Sequence, residues 1–279
     1  MMRISSISVI IALPFILLVI LTGYGLFINE KSTYFYPFIA FVILLVAIYT
    51  LQPHIDFLWD KKYPKTLEDK DKVFLQGFSS FYNNLSEDDK TKFEQRVYVF
   101  IRSKSFKLVK KEQKELPQDF KIAIASTAIQ LSFELNDYLF KKFDHYFVYD
   151  HPFPSPKIQF LHSVEVDTED KMVIFDIELL INSLNIKNNI FNIGLFAFSE
   201  IFHKIKGNTL LFSELNDKIY WEKIYKIANF NKEYLEQILG FLPPYQFSIL
   251  STLFFTHKTN FEIELPIQFN ELKLIYNIY

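Results

Sequence analysis

Residues 192–206 read N-I-G-L-F-A-F-S-E-I-F-H-K-I-K. The spacing predicts a helix with apolar side chains on nearly every side, and such a helix belongs in the middle of a domain. Within this stretch lie Ser199, Glu200 and His203. At about 100° per residue, Ser199 and His203 lie one turn apart on a single face, and Glu200 lies on its flank. The stretch therefore predicts a core helix that holds three polar side chains close together.

The composition excludes several classes of protein. A chain of 279 residues, half of them hydrophobic, can form one large domain or two small ones. Its net charge of −2, from 30 basic and 32 acidic residues, argues against a nucleic-acid partner. Cysteine is absent, which excludes disulfides, thiolate metal sites and cysteine nucleophiles. Any bound metal must use His, Asp or Glu.

Two apolar segments near the N-terminus predict a membrane anchor within residues 1–60. Residues 7–27 carry no charge, and residues 34–51 form a second run after a short polar turn. Each is close to the roughly 20 residues that a helix needs to cross the hydrocarbon core. A secretory signal peptide is the alternative for the first segment, but no small-x-small cleavage site precedes the second. We therefore expect a transmembrane hairpin that has the lipid bilayer as its partner.

The positive charges predict the orientation of this hairpin. Arg3 precedes the first span and three lysines follow the second within residues 61–65, whereas the turn between the spans has one lysine offset by a glutamate. Basic residues favour the cytoplasmic side. Both ends are thus expected in the cytoplasm, and residues 65–279 form a cytoplasmic domain at the inner membrane. The lysines of residues 104–114 then have two interpretations. They form a solvated face of the domain, or they contact anionic lipid headgroups.

The remainder of the chain predicts an α+β fold. Ser86 is a predicted N-cap, and residues 119–140 show helical spacing. Strand-like stretches and then helices follow in the order 146–149, 158–166, 172–176, 192–206, 219–228, 232–239 and the segment after Pro243-Pro244. Helices, a small sheet and further helices are typical of an α+β domain.

Several segments, in a shared order, resemble the zinc-dependent peptidases related to Mlc titration factor A. The family segments F-L-x-x-K-x-F, I-A-x-x-A, V-Y-P, V-L-S-W and N-V-V-I-H-E-F-A-H-K are similar to residues 100–106, 122–126, 148–150, 173–176 and 195–204, respectively. The likeness runs from about Leu85 to the last helix. It implies a zincin-like metallopeptidase fold for residues 65–279.

The resemblance also implies where a zinc site would lie. In the family, both histidines of H-E-x-x-H bind zinc, the glutamate between them is the general base, and a glutamate from a later P-x-E-F-F-x-x-x-S-E-x-F-F segment completes the site. Here Glu200 stands at the base position and His203 at the second ligand position, but Ser199 replaces the first histidine. Gln246 and Thr252 stand where the later segment has glutamates. Catalytic zinc needs three imidazole or carboxylate ligands, so we expect no zinc cofactor and no peptidase activity.

Three functions remain open at this point. The first is an inactive, membrane-anchored peptidase-like protein that binds an unidentified protein through the former substrate groove. The second is an active membrane-anchored zinc metallopeptidase with substitute ligands, for which His257, His151 and His162 are the candidates. The third is a membrane scaffold whose hairpin mediates assembly.

The polar residues of the core helix also have a purely structural interpretation. A buried charge without a partner is costly. Without a metal, Glu200 and His203 are therefore expected to pair with each other, with Ser199 or with Gln246.

Overall fold

Two long helices form the first of two units in the chain. The computed structural model describes residues 6–109, 116–185 and 188–278, and the chain divides into Met1–Lys65 and Thr66–Tyr279. Helix α1 spans Ile7–Phe27 and α2 spans Phe35–Lys62. Both are long and apolar enough to cross a membrane. Only 17% of the most apolar window of α1, and none of that of α2, is buried, whereas a core helix of a soluble protein is mostly buried.

Each end of this helical hairpin has a specific contact. At the turn, a Cβ atom on Gly25 would lie 2.5 Å from the ring of Tyr34, so only glycine permits this approach. At the other end, the Asp56 carboxylate of α2 accepts hydrogen bonds from the N–H and the hydroxyl of Ser8, at 3.0 and 3.2 Å. The first N–H groups of a helix have no partner within it. Asp56 therefore caps the N-terminus of α1 from the neighbouring helix.

The second unit combines helices with one sheet, which confirms the mixed α+β class. Its helices are α3 (Asp69–Phe78), α4 (Ser80–Asn83), α5 (Glu87–Ser103), α6 (Gln118–Leu131), α7 (Ile177–Leu184), α8 (Ile193–Lys206), α9 (Asp217–Ala228), α10 (Lys232–Leu239), α11 (Phe247–Thr256), α12 (Lys258–Glu264) and α13 (Pro266–Ile275). Its strands are β1 (Ser105–Leu108), β2 (His145–Tyr149), β3 (Val164–Asp167) and β4 (Met172–Asp176). As predicted, Ser86 caps α5, because its hydroxyl accepts from the Asp89 N–H at 3.2 Å.

The sheet has the order β1-β2-β4-β3. The pairs β1–β2 and β2–β4 are parallel, and β3 runs antiparallel to β4 as an edge strand. The sequence did not predict β1, and of the strand predicted over residues 158–166 only residues 164–166 lie in a strand. Before them, a bridge between Phe153 and His162 closes a proline-containing loop, and β3 begins at Val164.

Helix α6 is shorter than predicted, since it ends at Leu131 and not near residue 140. The cause is Arg96 on α5. Its Nη1 donates to three carbonyl oxygens beyond the helix end, those of Ser132, Phe133 and Leu135, at 3.0–3.2 Å. These bonds satisfy carbonyl groups that would otherwise lack partners after the last helical turn. A cation from another helix thus stabilises the loop that replaces the predicted last turns.

Lys104, the first lysine of residues 104–114, has a buried side chain. The Lys104 side chain is 1% exposed, and its Nζ donates to the Phe140 carbonyl at 3.2 Å and to Asp144 at 2.8 Å. Burial lowers the pKa of this amine below its ordinary value. Lys104 is thus a structural residue and not a headgroup ligand. Residues 110–115, with the other lysines of this run except Lys107, lie outside the described residues.

The predicted core helix is confirmed as α8. Asn192 is its N-cap, with its side-chain oxygen accepting from the Leu195 N–H at 2.9 Å. Every residue from Ile193 to Phe202 is buried. The helix contacts α6, α7, α11 and β3, so it positions its polar residues between the sheet edge and the C-terminal helices.

Candidate functional site

A cleft of about 300 Å³ lies between α8 and the edge strand β3. Val164, Phe196 and Phe241 form apolar parts of its wall. Glu200 and His203 of α8 line the same cleft. This is the place where α8 presents Glu200 and His203.

Ser199 faces the neighbouring helix α11. It is fully buried, and its hydroxyl donates to Ser251 Oγ at 3.0 Å. The Ser251 and Tyr276 hydroxyls are hydrogen-bonded at 2.6 Å. Burial raises the pKa of Tyr276 well above its ordinary value, so the phenol stays neutral. Ser199, at the first ligand position, is thus part of a hydrogen-bonded chain of neutral hydroxyl groups.

Glu200 lies at the boundary between this interior and the cleft. The residue is 8% exposed, and its Oε1 accepts a hydrogen bond from Ser248 Oγ of α11 at 2.5 Å. The partners expected from the sequence were His203, Ser199 or Gln246, and that expectation was wrong. Ser248 takes this place because the first turn of α11 lies against α8.

His203 and Gln246 have separate surroundings. The His203 ring packs on Tyr245 and Phe247, with ring centres 4.8 and 5.5 Å away. Gln246 makes two hydrogen bonds to the backbone of Leu215, accepting from its N–H and donating to its carbonyl, both at 2.8 Å. Ser199, Glu200 and His203 therefore lie within one turn of α8. The Gln246 side chain is bonded to the backbone of Leu215 instead.

The side chains present do not fit a catalytic zinc ion, which needs three His, Cys, Asp or Glu ligands. In the described ranges, no three such residues form a group that can hold a metal. None of the proposed substitutes is among the residues that line the cleft. His257 bonds Thr256 at 2.9 Å, His162 bonds Glu165 at 3.1 Å, and His151 is exposed. Burial lowers the pKa of His257 below its ordinary value.

The wall opposite α8 carries charges that the sequence analysis did not single out. Lys157 donates to Asp167 at 2.9 Å and to Glu169 at 2.7 Å. Burial acts to raise the pKa of Asp167, but Lys157 and two backbone N–H groups lower it below its ordinary value. Lys204 of α8 donates to the Val166 carbonyl of β3 at 2.9 Å. The acidic turn after β3 was visible in the sequence, but its lysine partner ten residues away from Asp167 was not.

Comparison with known families matches residues 59–174 to the glucose-regulated metallo-peptidase M90 family. This is the family of the Mlc titration factor A-like peptidases, and the match indicates a metallopeptidase-like protein. The matched part includes α3–α6 and nearly all of the sheet, but it ends before α8. Ser199, Glu200 and His203 therefore lie outside it. No curated protein matches the chain.

Proposed function

We propose that this chain is a membrane-anchored, zincin-like protein that does not hydrolyse peptides and instead binds a segment of another protein in the cleft between α8 and β3. One observation carries the proposal. Helix α8 carries one imidazole, that of His203, where the family motif H-E-x-x-H has two. Ser199 stands at the position of the other histidine, and it is bonded to Ser251 away from the cleft.

The absence of catalysis follows from the chemistry of the donors. A catalytic zinc ion lowers the pKa of a bound water so that a general base can use it. Glu200 without such a water has nothing to activate, and a neutral serine hydroxyl is a poor zinc ligand. The third zinc ligand of the family, a glutamate, is also replaced, by Gln246 or Thr252. We therefore include no cofactor in the proposed function.

Binding of an extended segment is supported by the edge strand beside the cleft. The Asp176 N–H donates to the Ser163 carbonyl at 2.8 Å, and bonds in an antiparallel pair fall on alternate residues. Val164 and Val166 therefore direct their backbone groups away from β4. Val166 is the half-buried residue of this otherwise buried edge strand, and the edge of a sheet can accept a strand from a partner. The side chains of such a strand would then enter the cleft.

The N-terminal hairpin supplies the proposed membrane anchor. Helices α1 and α2 would cross the inner membrane with both ends in the cytoplasm, as their flanking basic residues favour. The partner would then be a cytoplasmic protein or the cytoplasmic part of a membrane protein.

The test uses the full chain in lipid nanodiscs, purified without chelator, with Glu200→Gln as the matched variant. We expect far less than one zinc ion per chain by elemental analysis, and no difference between the two proteins in cleavage of labelled casein. About one zinc per chain, together with cleavage that Glu200→Gln abolishes, would refute the proposal. That result would favour an active enzyme with other ligands.

A further inference from the structure

Glu200 carries a carboxylate whose charge is not compensated where it meets the cleft. Ser248, which bonds Oε1, is a neutral donor. For Oε2, no hydrogen-bond donor is found among the described residues, and the atom is not sealed from solvent. Apolar side chains line part of the cleft, and a carboxylate that opens on such a cleft can form an ion pair with a cation that a ligand supplies.

The cations nearest to the cleft are already engaged. Lys157 is bonded to Asp167 and Glu169, and Lys204 is bonded to the Val166 carbonyl. Among the residues placed by the structure, none forms an ion pair with Glu200. The compensating charge can therefore come from a ligand.

The shape of the cleft matches a particular kind of cation. Its apolar wall includes Val164, Phe196 and Phe241, and the Glu200 carboxylate lies in the same lining. Lysine and arginine combine an aliphatic stem with a terminal charge, so the stem can pack on apolar surface while the charge meets a carboxylate. The cleft volume of about 300 Å³ is ample for one such side chain.

We propose that the cleft selects a Lys or Arg side chain of the bound segment and that Glu200 is its ion-pair partner. This inference rests on the proposed peptide-binding function and adds the chemistry of the partner. Glu200 thereby acts as a recognition residue at the position where the resemblance implies a general base.

Lys204 is the competitor within the chain. It lies four residues after Glu200 on α8, a spacing at which opposite charges can pair on a helix. In the structure its Nζ lies on the Val166 carbonyl, the group that an incoming strand would also use. Removing this lysine is therefore expected to strengthen binding of a cationic peptide.

The test measures binding of four fluorescent peptides to the full chain in nanodiscs by anisotropy. The probes share the sequence Thr-Val-X-Val-Thr, where X is lysine, arginine, norleucine or glutamate. We expect lysine and arginine peptides to bind about tenfold or more tightly than norleucine, with the advantage reduced by added salt. Glu200→Gln should bring all affinities close to that of norleucine, and Lys204→Met should strengthen the cationic peptides alone.

The outcomes separate this inference from the function on which it rests. Equal binding of all four peptides, in the wild type and in Glu200→Gln, would overturn the selection of a cation and leave peptide binding in place. Failure of every peptide to bind would overturn both. Because the peptide series is measured on the wild type, the result does not depend on the folding of a variant.

Discussion

Two glycines that lie in helices should respond in opposite ways to replacement by alanine. One variant should lose stability, and the other should gain it. Gly194 lies in the first turn of α8, and Gly77 lies near the end of α3. A Cβ atom on Gly194 would lie 2.8 Å from Leu180 Cδ1 and 2.9 Å from Thr127 Cγ2. A Cβ atom on Gly77 would have no heavy atom within 4 Å. The same Gly→Ala substitution is therefore made at one tightly packed site and at one open site.

The magnitudes follow from two opposing effects. Alanine favours a helix over glycine by roughly 0.5–1 kcal/mol at either site, less near a helix end. Overpacking a filled core costs about 1–3 kcal/mol. Leu180 can turn its terminal methyl aside, but Thr127 is β-branched and stiff. Gly194→Ala should therefore destabilise the protein by up to about 2 kcal/mol, whereas Gly77→Ala should stabilise it slightly.

Thermal unfolding of the full chain in detergent, followed by circular dichroism, checks this pair. For a unit of this size, 1 kcal/mol corresponds to a shift of about 2–4 °C in Tm. We expect a lower Tm for Gly194→Ala and an equal or higher Tm for Gly77→Ala. If Gly194→Ala raised the Tm as much as Gly77→Ala, α8 would not be held against α6 and α7 at the distance described here.

Three further predictions concern the loop after α6, the pH dependence and the membrane topology. Arg96→Leu should lower the free energy of unfolding by about 2–4 kcal/mol, because three carbonyl groups lose a charged donor. Urea denaturation measures this free energy, and an unchanged midpoint would contradict the prediction. The pKa of His257 is lowered in the folded state, so the unfolded state binds the proton first as the pH falls. Stability should therefore decrease as the pH drops below about 6.5 and through the lowered pKa. His257→Gln should flatten the dependence of Tm on pH. Since the chain has no cysteine, Lys31→Cys should react with an impermeant maleimide in intact cells and Lys232→Cys only after permeabilisation, whereas the reverse pattern would invert the topology.

The elements that the sequence predicted well are those specified by local pattern. Helix α8 follows from its own apolar residues, and the start of α5 follows from the cap at Ser86. The end of α6 depends on Arg96, a residue of another helix, so its own apolar spacing could not reveal it. Strand β1 is four residues long and depends on pairing with β2, which leaves little signal in the sequence.

The candidate site shows the same division. Helical spacing predicted Ser199 and His203 on one face of α8, with Glu200 on its flank. In the structure Glu200 and His203 line the cleft, whereas Ser199 bonds Ser251 of α11. Their neighbours come from α11, and the sequence does not show which face of α11 meets α8. The structure places Ser248 and Ser251 on that face, where they bond Glu200 and Ser199. The residues opposite a motif are thus set by tertiary packing.

This distinction leads to a final prediction about Gln246. Alignment by resemblance suggests that Gln246→Glu, combined with Ser199→His, would restore a zinc ligand. In the structure, the Gln246 amide donates to the Leu215 carbonyl, and a carboxylate cannot donate that bond. The new charge would also lie near Glu214, whose carboxylate accepts from the Gln246 N–H at 3.4 Å.

Gln246→Glu alone should therefore destabilise the protein by about 1 kcal/mol, because the half-buried Leu215 carbonyl loses its donor. It should add no zinc to a Ser199→His background. Gln246→Met is the comparison, because it removes both hydrogen bonds to Leu215 and adds no charge. Glutamate keeps the acceptor for the Leu215 N–H, so a lower stability of Gln246→Glu than of Gln246→Met in urea denaturation would be due to the added charge. A stable double variant that binds one zinc ion per chain would show that the Gln246 side chain can leave Leu215 and reach α8, and the separation between these two sites described above would then be wrong.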